Sequence, residues 1–288
     1  MLKCTGRCAT ANRFWVAGTE TWNSTAGAKW GTISGVADSA SLPGTGDVAI
    51  FDALSGGGTV TVDSPNGAGV VTVQQITMGL FTGTLDFSAN NNNVTLSVAF
   101  SGTGTGVRTL NMGDGTWLMS ATSGVVWDCT TVTNFTLNAN SSTLTISASA
   151  TASRSFASGG RTYNIVNLAN TGATFAAMQT SGSPTIATLN LTAPLWLRAG
   201  NGATITITNA FNWAGSSVSN GFLITSNSID GAVATISVAS GAPTINWAAI
   251  STMAFSGGAT FTAINSMSLG GNTGIAITSP RGGGIVSG

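Results

Sequence analysis

The 288-residue chain carries nine Lys or Arg residues, nine Asp or Glu residues and no His, so its formal net charge is zero. Charged residues make up 6% of the chain, against roughly 25% in an ordinary globular domain. The basic residues are scattered and form no cluster that could neutralise phosphates, which argues against nucleic acid and anionic membranes as partners. Without His, nucleophilic catalysis by a Ser–His or Cys–His pair is excluded.

A hydrophobic content of 42% separates this chain from the weakly hydrophobic, highly charged composition of disordered proteins. The small number of charges favours an assembly in which neighbouring subunits cover part of the surface. The first eight residues lack the apolar run of about 7–15 residues of a signal peptide, and no apolar run of about 18 residues could insert into a membrane. We therefore expect a protein assembled in a cytoplasm and released by lysis, as virion proteins are, although signal-less secretion fits as well.

Residues 1–58 form the first predicted segment, and they contain Trp15, Trp22 and Trp30. The first coil of a repetitive β-structure needs a cover over its exposed edge, and an aromatic, irregular segment suits that purpose. The sequence therefore predicts an N-terminal capping or attachment segment.

Residues 59–278 form a repetitive β domain in which short runs alternate apolar or β-branched residues with Thr, Ser or Asn. Alternation with period two predicts half-buried strands, and no segment keeps a helical period. Examples are Thr59–Val62, Val70–Ile76, Val94–Val98, Thr143–Ser147, Thr204–Thr208 and Thr235–Val238. The Gly-rich residues 279–288 are predicted to be a C-terminal arm that docks on a neighbour.

Two passages, Thr84–Ser97 and Thr136–Ser147, resemble copies of one unit. In each, a strand breaks at an Asn- or Ser-rich corner and restarts as another strand, because Asn tolerates left-handed backbone. This pattern predicts an all-β fold of the β-solenoid or β-helix type. A β-sandwich or jelly roll is the alternative.

No metal or cofactor is predicted. Cys4, Cys8 and Cys129 form no even disulfide framework, and free thiols are favoured, with pairing of Cys4 and Cys8 left open. Two neighbouring thiols without His cannot complete a zinc site. The Gly102–Gly106 loop lacks the Lys and the helix of a phosphate-binding loop, and Met112–Gly115 is a single fragment of a calcium-binding repeat.

Carboxylates are the remaining candidates for catalysis. Two carboxylates ~5–9 Å apart could hydrolyse a glycosidic bond. Each Asp is, however, better explained as a turn residue, so no catalytic residue is predicted. The candidates are Asp63, Asp86, Asp114, Asp128 and Asp230.

The five tryptophans that follow the N-terminal segment could stack on sugars if they were exposed. Each lies in an apolar run, which favours packing in the core or between chains. They are Trp117, Trp127, Trp196, Trp213 and Trp247.

The sequence resembles those of a family of repetitive β-rich proteins from tailed bacteriophages and bacterial surfaces. The likeness covers most of the chain and is carried by Arg13–Thr25, Leu42–Asp52, Ile76–Ser88, Thr109–Trp117, Trp127 and Ser155–Asn164. It implies a β-solenoid-like component of a virion or a cell surface, and it brings no catalytic motif. The chain departs from the family pattern at Ile275, where an aromatic residue is usual.

These observations predict a non-enzymatic structural component of a tailed bacteriophage virion, exposed on the particle as a capsid decoration, head fibre, short tail fibre or spike. The expected partners are further copies of the chain, with three as the expected number, and other virion structural proteins. A host surface glycan is a further candidate partner. The alternatives are a bacterial adhesin or surface-filament subunit and a glycan depolymerase spike.

Overall fold

The structure, a computed structural model, describes residues 10–22, 29–63, 69–148, 152–172, 175–217, 219–227 and 231–279. Within these residues the regular structure is entirely β-strand. The strands of the first half are β1 (Ala11–Trp15), β2 (Glu20–Trp22), β3 (Trp30–Gly31), β4 (Asp47–Ile50), β5 (Gly57–Val62), β6 (Val70–Thr77), β7 (Thr82–Asp86), β8 (Asn93–Ser101), β9 (Arg108–Asn111), β10 (Thr116–Met119), β11 (Gly124–Asp128), β12 (Phe135–Asn138) and β13 (Thr143–Ala148).

The remaining strands are β14 (Arg154–Ala157), β15 (Thr162–Asn170), β16 (Ala176–Ser181), β17 (Thr185–Thr192), β18 (Leu195–Ala199), β19 (Thr204–Ala214), β20 (Phe222–Ser226), β21 (Ala234–Val238), β22 (Thr244–Asn246), β23 (Ala248–Ser251), β24 (Met253–Gly257), β25 (Phe261–Ile264), β26 (Met267–Ser268) and β27 (Ile275–Ile277). The chain divides into two compact units. Unit 1 comprises Met1–Ala121, Val125–Thr145 and Arg161–Asn164, and unit 2 comprises Thr122–Gly124, Ile146–Gly160 and Ile165–Gly288.

Unit 1 contains two sheets of parallel strands. In one sheet β1, β4, β6 and β8 pair in that order, and β8 then pairs with β10 and, through its last residues, with β11. The other sheet has the order β2, β5, β7, β9 and β12. The chain passes from one sheet to the other and back, so that each coil stacks on the one before it. In-register pairing places Leu85 between Val60 and Leu110.

The strand β3 is an exception, because it pairs antiparallel with β1. Since β1 pairs on its other side with β4, the short β3 covers the edge of the first strand. An unpaired edge would present free backbone groups to other chains. The boundary predicted at residue 58 lies inside β5, and the capping role of residues 1–58 as a segment stays a prediction.

Unit 2 contains three sets of parallel strands. One runs β14, β16, β18, β20, β23 and β26, and a second runs β15, β17, β19, β21 and β24. The third, formed by β22, β25 and β27, adds a further side to the last coils. Parallel strands stacked coil upon coil define a β-solenoid, so the predicted all-β solenoid fold is confirmed and the sandwich alternative does not apply.

The predicted Asn corners are also confirmed. Asn91 and Asn140, one in each of the two similar passages, have φ angles of 50° and 48°. Left-handed backbone of this kind is costly for most residues and is tolerated by Asn, whose side chain bonds locally. The sequence therefore fixes where the chain turns from one strand to the next.

The two units fill their interiors differently. In unit 1 the rings of Trp15 and Trp22 each meet Trp30 nearly edge-on, with centroids 5.2 and 5.1 Å apart. Further along the unit, the rings of Phe100 and Trp127 stack at 4.5 Å. In unit 2 the register instead aligns aliphatic side chains from coil to coil. One such inward column is Met178, Leu197, Ile224 and Ile250, all fully buried.

Polar side chains also stack along the outside of unit 2. The amide Nδ2 of Asn212 donates to Oδ1 of Asn190 at 2.8 Å, and Nδ2 of Asn190 donates to Oδ1 of Asn167 at 2.7 Å. We call these three residues the asparagine ladder. It links three successive coils of the second set of strands through their side chains.

Candidate functional site

A row of exposed apolar side chains follows one series of turns in unit 1. The turns leading into β5, β7, β9 and β12 each present one large apolar residue to solvent. These residues, which we call the turn row, are Leu54, Leu80, Val107 and Val132, with exposed fractions of 63%, 52%, 69% and 51%. Apolar groups in the same series of turns of consecutive coils form a repeated feature, unlike the isolated exposed residues of most surfaces.

Close backbone contacts stack these turns on one another. A Cβ atom at Gly104, whose φ is 139°, would lie 1.6 Å from the carbonyl oxygen of Gly79, and one at Gly106 would lie 2.1 Å from that of Phe81. Only Gly fits at such positions, because any side chain would collide with backbone. The Gly102–Gly106 segment is thus a turn, as the sequence predicts, and its glycines bring neighbouring coils together.

Arg108 stabilises the same turn from inside the protein. Its guanidinium donates from Nε to the carbonyl of Gly102 at 2.9 Å and from Nη1 to that of Gly106 at 2.7 Å. The guanidinium also lies 5.0 Å from the ring centroid of Phe135, and its burial lowers the pKa of Arg108. Sequence patterns did not predict this buried cation, because its acceptors are backbone carbonyls rather than an acidic residue.

The aspartates proposed as catalytic candidates bond to turns. Asp86 accepts hydrogen bonds from the backbone and hydroxyl of Ser88, and Asp128 does the same for Thr130. Asp114 accepts from the backbone N–H of Ser141 at 3.3 Å.

The strand register also places non-acidic residues beside two of these aspartates. Asp86 lies between Thr61 and Asn111, and Asp128 lies beside Ser101. Asp63 follows β5 and bonds through its backbone to Trp22 and Asn92, whereas Asp230 lies outside the described residues.

Cys129 is a free thiol in the core of unit 1. Burial raises its pKa to about 12, because a thiolate would have to leave water. The thiol is therefore protonated at neutral pH and is a poor nucleophile. Cys4 and Cys8 lie outside the described residues.

The five tryptophans that follow the N-terminal segment divide into two groups. Trp117 and Trp127 are fully buried, as predicted. Trp196, Trp213 and Trp247 are half-buried, and Trp196 points outward from β18. Of the two predicted environments, the core does not apply to Trp196, and packing between chains stays a prediction.

Metal and membrane sites were sought in the part of the chain that the structure describes. No group of three or more Cys, Asp or Glu side chains that could hold a metal ion occurs there. That part also has no helix long and apolar enough to cross a membrane. No protein-family model, curated protein sequence or solved structure matches the chain.

Proposed function

We propose that this protein is a non-enzymatic structural component of a tailed bacteriophage particle and that it assembles with further copies of itself. The turn row is the observation that carries the proposal. Four exposed apolar side chains, one in each of four successive turns, offer a surface that a second copy can cover, whereas a monomer leaves it in water.

The charge of the chain supports self-association. With zero net charge, copies do not repel one another, and the alternating Ser, Thr and Asn residues on the outer strands supply hydrogen-bonding groups for the rim of an interface. A closed symmetric assembly buries the turn row of every copy, and three copies is the number we expect for solenoids packed side by side. The resemblance of the sequence to repetitive phage proteins supports the particle as the setting.

The mass of the protein in solution tests the interface. We expect the unmodified protein to be an oligomer by light scattering and the double variant Leu80→Ser/Val107→Ser to be a folded monomer. Val125→Ser, which changes another exposed valine of unit 1, is the matched control and should remain oligomeric. A monomeric unmodified protein, or a double variant that stays oligomeric, would contradict the proposed interface.

The particle itself tests the setting. Mass spectrometry of purified phage particles should detect the protein, and gold-labelled antibodies should bind to the particle surface. Absence from particles, together with its presence on the bacterial cell surface, would favour the adhesin alternative.

A further inference from the structure

The outer face of β18 in unit 2 carries an aromatic residue and a cation side by side. Leu195, Leu197 and Ala199 are buried, so the alternation of the strand turns Trp196 and Arg198 outward, where both are half-buried. A large indole left partly in water on the outside of a strand is a recurrent feature of binding surfaces, because its ring offers apolar area with little conformational freedom to lose.

Hydrogen bonds and stacking hold these two side chains in place. The Cζ atom of Arg198 lies 4.9 Å from the ring centroid of Trp196, which is a cation–π distance. The indole Nε1 of Trp196 donates to Oγ1 of Thr225 at 3.0 Å, and the guanidinium of Arg198 donates to Oδ1 of Asn227. Both acceptors come from the next coil, so the arrangement is built by the fold and is already formed without a ligand.

An open groove of about 550 Å³ extends from this pair across the neighbouring strands. Ligand sites in proteins commonly have volumes of about 300–1,000 Å³. Besides the four residues above, the groove is lined by Ser226, Ser251 and Thr252. Its lining therefore combines one aromatic ring, one cation, several hydroxyl groups and one amide.

The groove is poor in negative charge. Both salt bridges among the described residues lie in unit 1, between Arg13 and Asp47 and between Lys29 and Glu20. From residue 165 onward the sequence has one acidic residue, Asp230, which lies outside the described residues. The described lining thus presents Arg198 to the groove without a carboxylate partner.

We propose that this groove binds a glycan segment that carries a carboxylate, such as a uronic acid or a sialic acid. The apolar C–H face of a sugar ring would lie against Trp196, and its carboxylate would accept hydrogen bonds from the remaining N–H groups of Arg198. The hydroxyls of Thr225 and Ser251 would bond to the sugar hydroxyls. Binding alone is proposed, with no bond broken, and the inference goes beyond the structural role and does not depend on it.

A peptide fits this groove less well. Extended peptides commonly bind by adding a strand to a free sheet edge, but β18 is paired on both sides, with β16 and with β20. The available groups are side chains on a sheet face, and a ring with hydroxyls and one negative charge matches them. Peptide binding is therefore an outcome that the experiment must be able to show.

Titration with defined oligosaccharides tests the proposal. The probes are a galacturonate hexamer, a hyaluronan hexamer and 3′-sialyllactose, with maltohexaose as the neutral comparison and a poly-glutamate peptide as the acidic peptide. We expect calorimetry to show binding of at least one acidic oligosaccharide, with at least about tenfold weaker binding of maltohexaose and of the peptide. Binding of none of the three acidic probes, or preference for the peptide, would overturn the proposal.

Variants then locate the site. Trp196→Ala and Arg198→Gln should each weaken binding of the acidic probe by at least about tenfold, as expected when a central contact is lost. The matched control is Arg161→Gln in unit 1, because Arg161 also lies over an aromatic ring, that of Phe135, at 5.4 Å. This variant should bind the acidic probe as tightly as the unmodified protein. Asp230→Asn should bind at least as tightly as the unmodified protein.

Folding must be separated from binding in these variants. Each is compared by circular dichroism and thermal unfolding, and Trp196→Phe keeps an aromatic plane if Trp196→Ala fails to fold. Unchanged binding by folded Arg198→Gln, or by folded Trp196→Ala, would place the ligand elsewhere. Trp196→Phe should lose less binding than Trp196→Ala, because a phenyl ring still stacks on the sugar. A loss of binding in Arg161→Gln equal to that in Arg198→Gln would show charge alone to be responsible.

Discussion

Tryptophan has different roles in the two units. Unit 1 buries its tryptophans completely and packs them against one another and against phenylalanines, whereas the three tryptophans of unit 2 are half-buried. The interior of unit 2 combines aligned Ile, Leu, Val and Met residues with buried phenylalanines. Tryptophan thus forms the core of unit 1 and lies at the margin of the core in unit 2, where Trp213 still packs against Phe211 and Phe222.

Coil length does not account for this difference. The in-register partner on the neighbouring coil is 27 residues away both for the buried Trp127 of unit 1, which pairs with Phe100, and for the half-buried Trp196 of unit 2, which pairs with Leu223. The alternation of each strand decides instead. In β18 the buried Leu195 and Leu197 occupy the inward positions and leave the outer face to Trp196.

The largest expected effect would test this contrast directly. Trp22→Ala should lower the free energy of unfolding by about 3–5 kcal/mol, because it removes a fully buried ring that contacts Trp30, Phe51 and Phe87. Trp247→Ala in unit 2 should cost less than about 2 kcal/mol, since part of its ring is already in water. Urea unfolding of both variants measures the difference, and equal losses would contradict the division into a core and a marginal role.

Raising the pH should weaken the interior of unit 1. The pKa of Cys129 is raised from 9.0 to about 12 by burial, so above pH 9 the unfolded chain loses a proton that the folded chain keeps. Stability is therefore unaffected well below pH 9 and is lost as the pH rises toward 12. Between pH 9 and about pH 10 the free energy of unfolding should fall by about 1 kcal/mol through this group.

The control for this pH effect is Cys129→Ala, measured over the same range. The difference between the two slopes reports Cys129 together with its effect on the buried Tyr163, whose pKa is raised by burial and, to a smaller extent, by Cys129. Rapid labelling of the folded protein by a thiol reagent at this position at pH 8 would be inconsistent with such a buried, protonated thiol.

The smallest expected effect concerns the turn aspartates of unit 1. Asp86→Asn, Asp114→Asn and Asp128→Asn should each change the free energy of unfolding by less than about 1 kcal/mol, because the amide oxygen of Asn can accept the same hydrogen bonds. Particle function should also be unchanged. Loss of a polysaccharide-cleaving activity in one of these variants would overturn the non-enzymatic proposal in favour of a depolymerase.

The strands and corners were predictable because they depend on neighbours in sequence. Alternation defines a strand over four to eight residues, and Asn91 and Asn140 supply left-handed corners. Alternation also predicts the orientation of Trp196. Leu195 and Leu197 on either side of it are buried, so Trp196 lies on the opposite face of the strand. An apolar run alone does not show this phase, which is why packing in the core and packing between chains were both open for Trp196.

The candidate groove could not be predicted, because its parts are distant in sequence. Trp196 meets Thr225 and Arg198 meets Asn227 across 29 residues, and the coils of this chain have no fixed length from which that register could be calculated. Trp247 was unpredictable for another reason. Its φ of 58° interrupts the alternation, so the phase set by Ile245 does not continue through it.

The asparagine ladder has a consequence for sequence drift. Its middle residue, Asn190, accepts a hydrogen bond on Oδ1 from Asn212 and donates one from Nδ2 to Asn167, using both ends of one planar amide group. Asp has the same shape but would turn an oxygen toward the oxygen of Asn167, and Ser or Thr is too short to span both neighbours. Although Asn190 faces outward, we therefore expect it to be retained in descendants of this protein for as long as the two coils beside it are kept.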